Sequence, residues 1–231
     1  MRTGSGRWAL GVGMWAVLCI SVVGQMWPNP GPGQIPRAAT VVFDAGFDFR
    51  ATSTYVTDPA FATYQVVNSG GVPAETYPTT RTVNGAAATF GWESGTTNLG
   101  PGRDRSSSVD ARLAGVNQVA AAKPGNAVWR LELPAAGAYD VDLAVGDATS
   151  SQVENVEIQD GTAAVISFTN VSVSAGAFLD ASGVVRSTAA NWVANHATRR
   201  ITFLTTTLRV VLKPPTASSS TIAHLRVTRV P

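Results

Sequence analysis

At 231 residues the chain is long enough for one large domain or two small ones. Charged residues make up only 14%, hydrophobic residues reach 45%, and glycine and proline number 22 and 13, which excludes both a disordered chain and a helical bundle. One cysteine (Cys19) and two histidines (His196, His224) exclude a disulfide scaffold and leave too few ligands for a Cys/His zinc site, while the formal charge of +2 comes from Arg2 and Arg7 near the N-terminus, without which basic and acidic residues balance at fifteen each.

The first seven residues, MRTGSGR, are short and positive, and Trp8 to Val23 is an unbroken apolar run. This is the layout of a secretory signal, with Val22 and Gly24 as the small residues before a cut ahead of Gln25. The same run also fits an uncleaved anchor, because Trp8 to Trp27 is 20 residues with tryptophan at both edges. Lipidation at Cys19 is disfavoured by Leu18, which stands where a lipobox carries a small residue. Either outcome predicts export, with residues 1–24 as leader, 25–38 as a Pro/Gly-rich spacer and 39–231 as the folded domain.

From residue 39 onward, short β-rich runs recur with almost no helical periodicity. Strands are expected over 39–49 (broken at Gly46), 63–67, 88–94 and 127–134, the last with an uncertain inner face. The run 138–148 alternates cleanly, with Tyr139, Val141, Leu143 and Val145 on one side and Asp140 and Asp142 on the other. Residues 152–168 read as two strands joined by the turn Asp160-Gly161, a strong hairpin signal. Further strands are expected over 199–204, 208–214 and 222–230. Only 117–122 and 189–195 suggest a helical turn. Strands at this spacing without intervening helices predict an all-β, antiparallel sandwich of jelly-roll type in one domain.

Charge is unevenly placed along the chain. Residues 28–180 hold eight Lys/Arg against fifteen Asp/Glu, whereas residues 181–231 hold seven Lys/Arg and no acid. The simplest expectation is that the two parts interleave in one sandwich and neutralise each other. A basic face for nucleic acid would need those seven to cluster among aromatic residues, which the sequence does not provide.

Catalytic patterns are weak. No G-x-S-x-G occurs, and Gly146-Asp147-Ala148 resembles an esterase G-D-S block whose nucleophile is replaced by alanine. No glycine-rich phosphate loop, H-E-x-x-H or EF-hand motif is present, so no cofactor or metal is expected. His224 lies mid-strand and reads as structural. The distinctive segment is 90–113, where Trp92, Arg103, Asp104 and Arg105 fall within a turn-rich stretch. Sugars are held by aromatic faces together with Arg and Asp hydrogen bonds to neighbouring hydroxyls. The competing account is a buried Trp92 and an internal Arg103–Asp104–Arg105 staple. Asn191 and Trp192 form a second candidate platform, which could instead plug the end of the sandwich.

Taken together, Phe47-Asp48-Phe49, Phe90-Gly91-Trp92 and Arg103-Asp104-Arg105 with Asp110 and Leu113 resemble the galactose-binding-like jelly-roll domains of bacteria. So do Gly137-Ala138-Tyr139-Asp140-Val141, Val145-Gly146-Asp147-Ala148 and the strand around Val156-Glu157-Ile158. Such modules are similar to malectin-like and other carbohydrate-binding modules and accompany pectin-degrading esterases and lyases. The resemblance spans about residues 43–230 and implies a non-catalytic domain with a polysaccharide or other glycan as partner. Here the last strand, Ile222 to Val227, lacks the acid that some relatives use for calcium. Asp44, Asp48 and Asp147 remain as oxygen donors that a cation could use. The alternatives are an envelope-displayed structural or interaction sandwich, and an unassigned glycosidase or esterase.

Overall fold

The computed structural model describes residues 43–50, 65–68, 76–84, 86–94, 99–100, 102–105, 110–121, 123–215 and 217–231, all within a compact unit spanning Val41–Pro231. The predicted leader and spacer lie outside the described residues.

The domain is an all-β sandwich. Its five-stranded sheet has the order β13 (Arg199–Phe203), β8 (Gly137–Ala144), β16 (His224–Arg229), β1 (Asp44–Arg50), β2 (Gln65–Asn68). Its pairings are antiparallel except β1 with β2. The six-stranded sheet has the order β10 (Ala163–Val173), β9 (Gln152–Asp160), β14 (Thr207–Leu212), β7 (Ala127–Glu132), β4 (Ala86–Ser94), β3 (Thr79–Val83) and is antiparallel throughout. Strands β5 (Arg103–Asp104), β6 (Gly115–Ala120) and β15 (Ser219–Ile222) form a small third sheet, and β11 (Phe178–Leu179) pairs with β12 (Val185–Arg186). The pairing of β1 with β16 ties the first described strand to the last.

Period-two patterning builds the core. Phe47 and Phe49 of β1 meet Trp129 of β7 edge-on at centroid distances of 4.7 and 5.4 Å, and Phe90 of β4 completes the cluster 5.0 Å from Phe47. In β7 the inward residues are Ala127, Trp129 and Leu131, which leaves Val128, Arg130 and Glu132 outside. The hairpin expected at Asp160-Gly161 is present, with Gly161 at φ 60°. Two other glycines are required by position. Gly91 and Gly146 have φ near +142° and +141°, and a Cβ there would lie 2.5 Å from the Tyr77 amide nitrogen and the Ala177 carbonyl oxygen.

One helical expectation holds and one does not. Ala189–Asn195 forms α1, its first turn capped by the Thr188 side chain. Of the 117–122 segment, residues 117–120 are instead the later part of β6, largely buried and paired with β15, with Val119 also bridged to Leu99; this pairing overrides the local alanine-rich preference. A second, smaller core lies on the outer side of the five-stranded sheet. There Trp192 of α1 packs with Leu113, Ala144, Phe178 and Ala223. A 3-10 turn, Ala111–Leu113, helps to close it. This cap covers one end of that sheet's outer face and leaves the rest open.

Candidate functional site

Alternation along β8 and β16 sends Val141, Leu143, Leu225 and Val227 into the core and places Asp140, Asp142, His224, Arg226 and Thr228 on the outer face. Register sets Arg226 opposite Asp142 and Thr228 opposite Asp140. Where this polar face meets the cap, a cleft of about 340 Å³ opens. Its floor is Asp140, Asp142, Arg226 and Thr228; its wall is His196 and Thr198 following α1, and Arg112 from the 3-10 turn.

Each acidic side chain in and around the cleft has a basic partner. Arg226 forks onto Asp44 at 2.8 and 2.7 Å, and Thr228 donates to the same carboxylate at 3.0 Å. Arg200 forks onto Asp140 at 2.9 and 3.0 Å, and Arg112 onto Asp110 at 2.9 Å through both Nε and Nη2. Asp142 takes two imidazoles on one oxygen: His196 Nε2 at 3.3 Å and His224 Nε2 at 3.4 Å from Oδ2. Burial alone would raise the Asp142 carboxyl, but the hydrogen bonds and charges of the two histidines outweigh it and hold it well below the usual carboxylate range. The hydrogen bond to Asp142 raises His196 against the opposing effect of burial. His224 is fully enclosed, and desolvation lowers it despite the same carboxylate. His196 also stacks on Trp192 at 4.0 Å, and the Arg112 guanidinium lies 4.9 Å from that ring's centroid.

The residues expected from sequence are placed differently. Trp92 is 1% exposed and packs against Phe49 at 6.2 Å, because it lies opposite Trp129 on the inner face of the six-stranded sheet. Trp192 is fully buried in the cap and donates Nε1–H to the Leu143 carbonyl at 3.3 Å. Neither ring offers a free face for a sugar, which corrects the stacking expectation for both. Arg103 and Asp104 are exposed on the short strand β5. Arg105 does not clamp Asp104; it pairs with the buried Asp147, which also accepts from the Thr149 amide at 2.8 Å. Asn191 is half-buried and its amide closes the α1 cap on Thr188 Oγ1 at 3.0 Å. Of the expected set, then, only Trp192 approaches the cleft, as the support beneath His196 and Arg112.

The carboxylates considered for a cation each face an arginine: Asp44 faces Arg226, Asp48 faces Arg50 (3.0 Å), and Asp147 faces Arg105. Among the described residues no group of three His, Cys, Asp or Glu side chains is placed to hold a metal ion.

Asp142, His196 and His224 were not legible as a site, since they come from separate parts of the chain. The available signal was period-two polarity in both 138–144 and 224–229, two half-polar strands that become one polar face once paired.

No protein-family model matches the chain. No curated protein matches it either. Among solved structures it is similar to Bacteroides uniformis β-glucuronidase 2, covalently bound to cyclophellitol-6-carboxylate aziridine, at 9% identity and a TM-score of 0.42, over 82% of this chain and 18% of that one. It is likewise similar to a crystal structure of Bacteroides uniformis β-glucuronidase at 11% identity and a TM-score of 0.41, with the same coverage. The chain therefore spans less than a fifth of the length of either.

Proposed function

We propose that this chain is an exported, non-catalytic, galactose-binding-like module that holds a neutral carbohydrate in the cleft on the outer face of its five-stranded sheet. The observation that carries the reading is the pairing of Asp44, Asp110, Asp140 and Asp142 with Arg226, Arg112, Arg200 and His196. Such a surface has directional donors and acceptors but little net field, which suits hydroxyl groups better than a phosphate or carboxylate ligand. The volume is at the small end of the range for small-molecule sites, about 300–1,000 Å³, and favours one or two sugar rings. Recognition here rests on hydrogen bonds rather than on stacking, because the Trp192 ring is already covered.

The test is a glycan array with the full chain, followed by calorimetry on Asp140→Asn. Asp140 is partly exposed and its Arg200 partner is 62% exposed, so the substitution should leave the fold intact. Affinity for a neutral glycan should fall about tenfold through one lost charged hydrogen bond, roughly 1.4 kcal/mol. A chain that binds no neutral glycan, or an Asn variant that binds as tightly as the parent, removes the reading in favour of an interaction sandwich.

A further inference from the structure

His196 caps the C-terminal end of α1, and both of its ring nitrogens face atoms that only accept. Nδ1 lies 2.8 Å from the Trp192 carbonyl oxygen, and Nε2 lies 3.3 Å from Asp142 Oδ2. A carbonyl and an ionised carboxylate cannot donate, so this geometry is satisfied only by the doubly protonated ring. We propose that the His196 imidazolium is a latch that fastens α1 to β8 and forms one wall of the cleft, so that carbohydrate binding weakens when His196 loses its proton. The inference rests on the cleft being the carbohydrate site and adds its regulation.

Among the groups that face it, His196 is the one that changes near neutral pH. From β8, Asp142 stays ionised because the two histidines hold its carboxyl low, and Asp140 is held ionised by its hydrogen bond to Arg200. From β16, buried His224 is pushed towards its neutral form, and Arg226 is permanently charged. From the 3-10 turn, burial of Asp110 is outweighed by its bonds to Arg112, so that pair stays charged. Beside the start of β12, Asp180 accepts the Ala197 amide at 3.1 Å and is kept ionised by Ser182 and Arg186 against the effect of burial. His196 itself is raised above the ordinary imidazole value, so the latch is closed below that value and opens as pH rises past it. On deprotonation a ring lone pair must face either the carbonyl or the carboxylate, which repels α1 from the sheet at the wall formed by His196 and Thr198.

Three measurements on the full chain decide this. Nitrogen-detected NMR of the histidine rings should show both His196 nitrogens protonated at pH 6, with the transition above 6.5. Hydrogen exchange of the α1 amides, corrected for intrinsic rates, should lose about tenfold protection between pH 6 and 8.5, and affinity for galactose, glucose and their disaccharides should fall by at least about fivefold. In His196→Gln both pH dependences should be absent, which separates the latch from Asp48 on β1 and Glu154 on β9, buried carboxyls that burial pushes up to about 8. A singly protonated His196 at pH 6, flat α1 protection, or an unchanged slope in the Gln variant each overturns the latch. If α1 protection falls with pH but no sugar binds at any pH, the latch stands and the carbohydrate reading fails. If sugar binds equally across the range, the cleft reading stands and its regulation fails.

Discussion

Glu154 shows how much one inward-facing side chain can govern. It occupies an inner position of β9, in line with Val156 and Ile158, and is fully buried. Its two oxygens accept from the Thr221 amide at 2.7 Å and the Thr221 hydroxyl at 2.6 Å. Burial pushes the carboxyl up to about 8, the Thr221 bonds opposing only in part. The folded state therefore keeps a proton that the unfolded chain releases near the ordinary glutamate value. The resulting stability is complete below that value and is lost as pH rises through about 8. Glu154→Gln imitates the protonated acid, accepting from the amide and donating to the hydroxyl. We expect the variant to fold normally and to lose a smaller part of its stability than the parent between pH 5 and 8.5, by about 2–4 kcal/mol. Melting curves at the two pH values check this, and equal slopes in parent and variant would refute it. Asp48, also pushed up to about 8 by burial, has the same sign and supplies the slope that remains. The strand at Glu154 was readable from its hairpin turn, but the burial of an acid on its inner side was not, since a turn locates a strand and does not say which of its faces is covered.

At the scale of elements, legibility followed pattern strength. The long strands were visible: β8 from its alternation, β9 and β10 as far as residue 168 from the Asp160-Gly161 turn, and β14 from its β-rich run. The short pairs β5 and β11 with β12 were not, since two residues carry no period. The cap was half visible: the α1 segment could be read, but its docking could not. An aromatic residue set among polar neighbours, such as Trp192 in Ala189–Asn195, has the same local sequence whether it stacks on a sugar or seals a small core. Here it seals, packing on Leu113, Phe178 and Ala223 from three distant parts of the chain. Trp192→Ala should cost about 3–5 kcal/mol, the range for truncating a buried aromatic. The loss should be concentrated in the cap, since the main core around Trp129 does not use this ring. Thermal melting combined with hydrogen exchange tests the prediction: α1 and the 3-10 turn should lose protection while β7 and β14 keep theirs. Uniform loss across both sheets would show that the cap is not a separate cooperative unit.

Across the whole molecule, five of the seven basic residues of 181–231 pair with acids from the rest of the chain, in the sense that the opposed charge balance of the two parts led one to expect. Arg186 pairs with Asp180, Arg200 with Asp140, Arg209 with Glu93, Lys213 with Glu157 and Arg226 with Asp44. These pairs lie on both sheets and on the cap. The segment that is basic in sequence is therefore not a basic face in space, because antiparallel pairing sets the late strands β13, β14 and β16 beside the acid-bearing β8, β9 and β1. Polyanion binding depends on releasing counterions from many phosphates or sulfates at once, and an arginine already forked onto a carboxylate releases few. Exposed Arg200, with both guanidinium contacts on Asp140, is the clearest case. We therefore expect the full chain to pass through heparin resin unretained at about 0.15 M salt, near physiological ionic strength. A basic face would instead retain it strongly, with steep salt dependence as each added phosphate or sulfate contact contributes roughly one unit to the slope. Asp140→Asn and Asp44→Asn each remove one negative charge from the same sheet face, so the double variant should show weak retention that a modest rise in salt removes. Firm retention of the parent chain would mean that the pairing in the fold does not quench the charge of its last third.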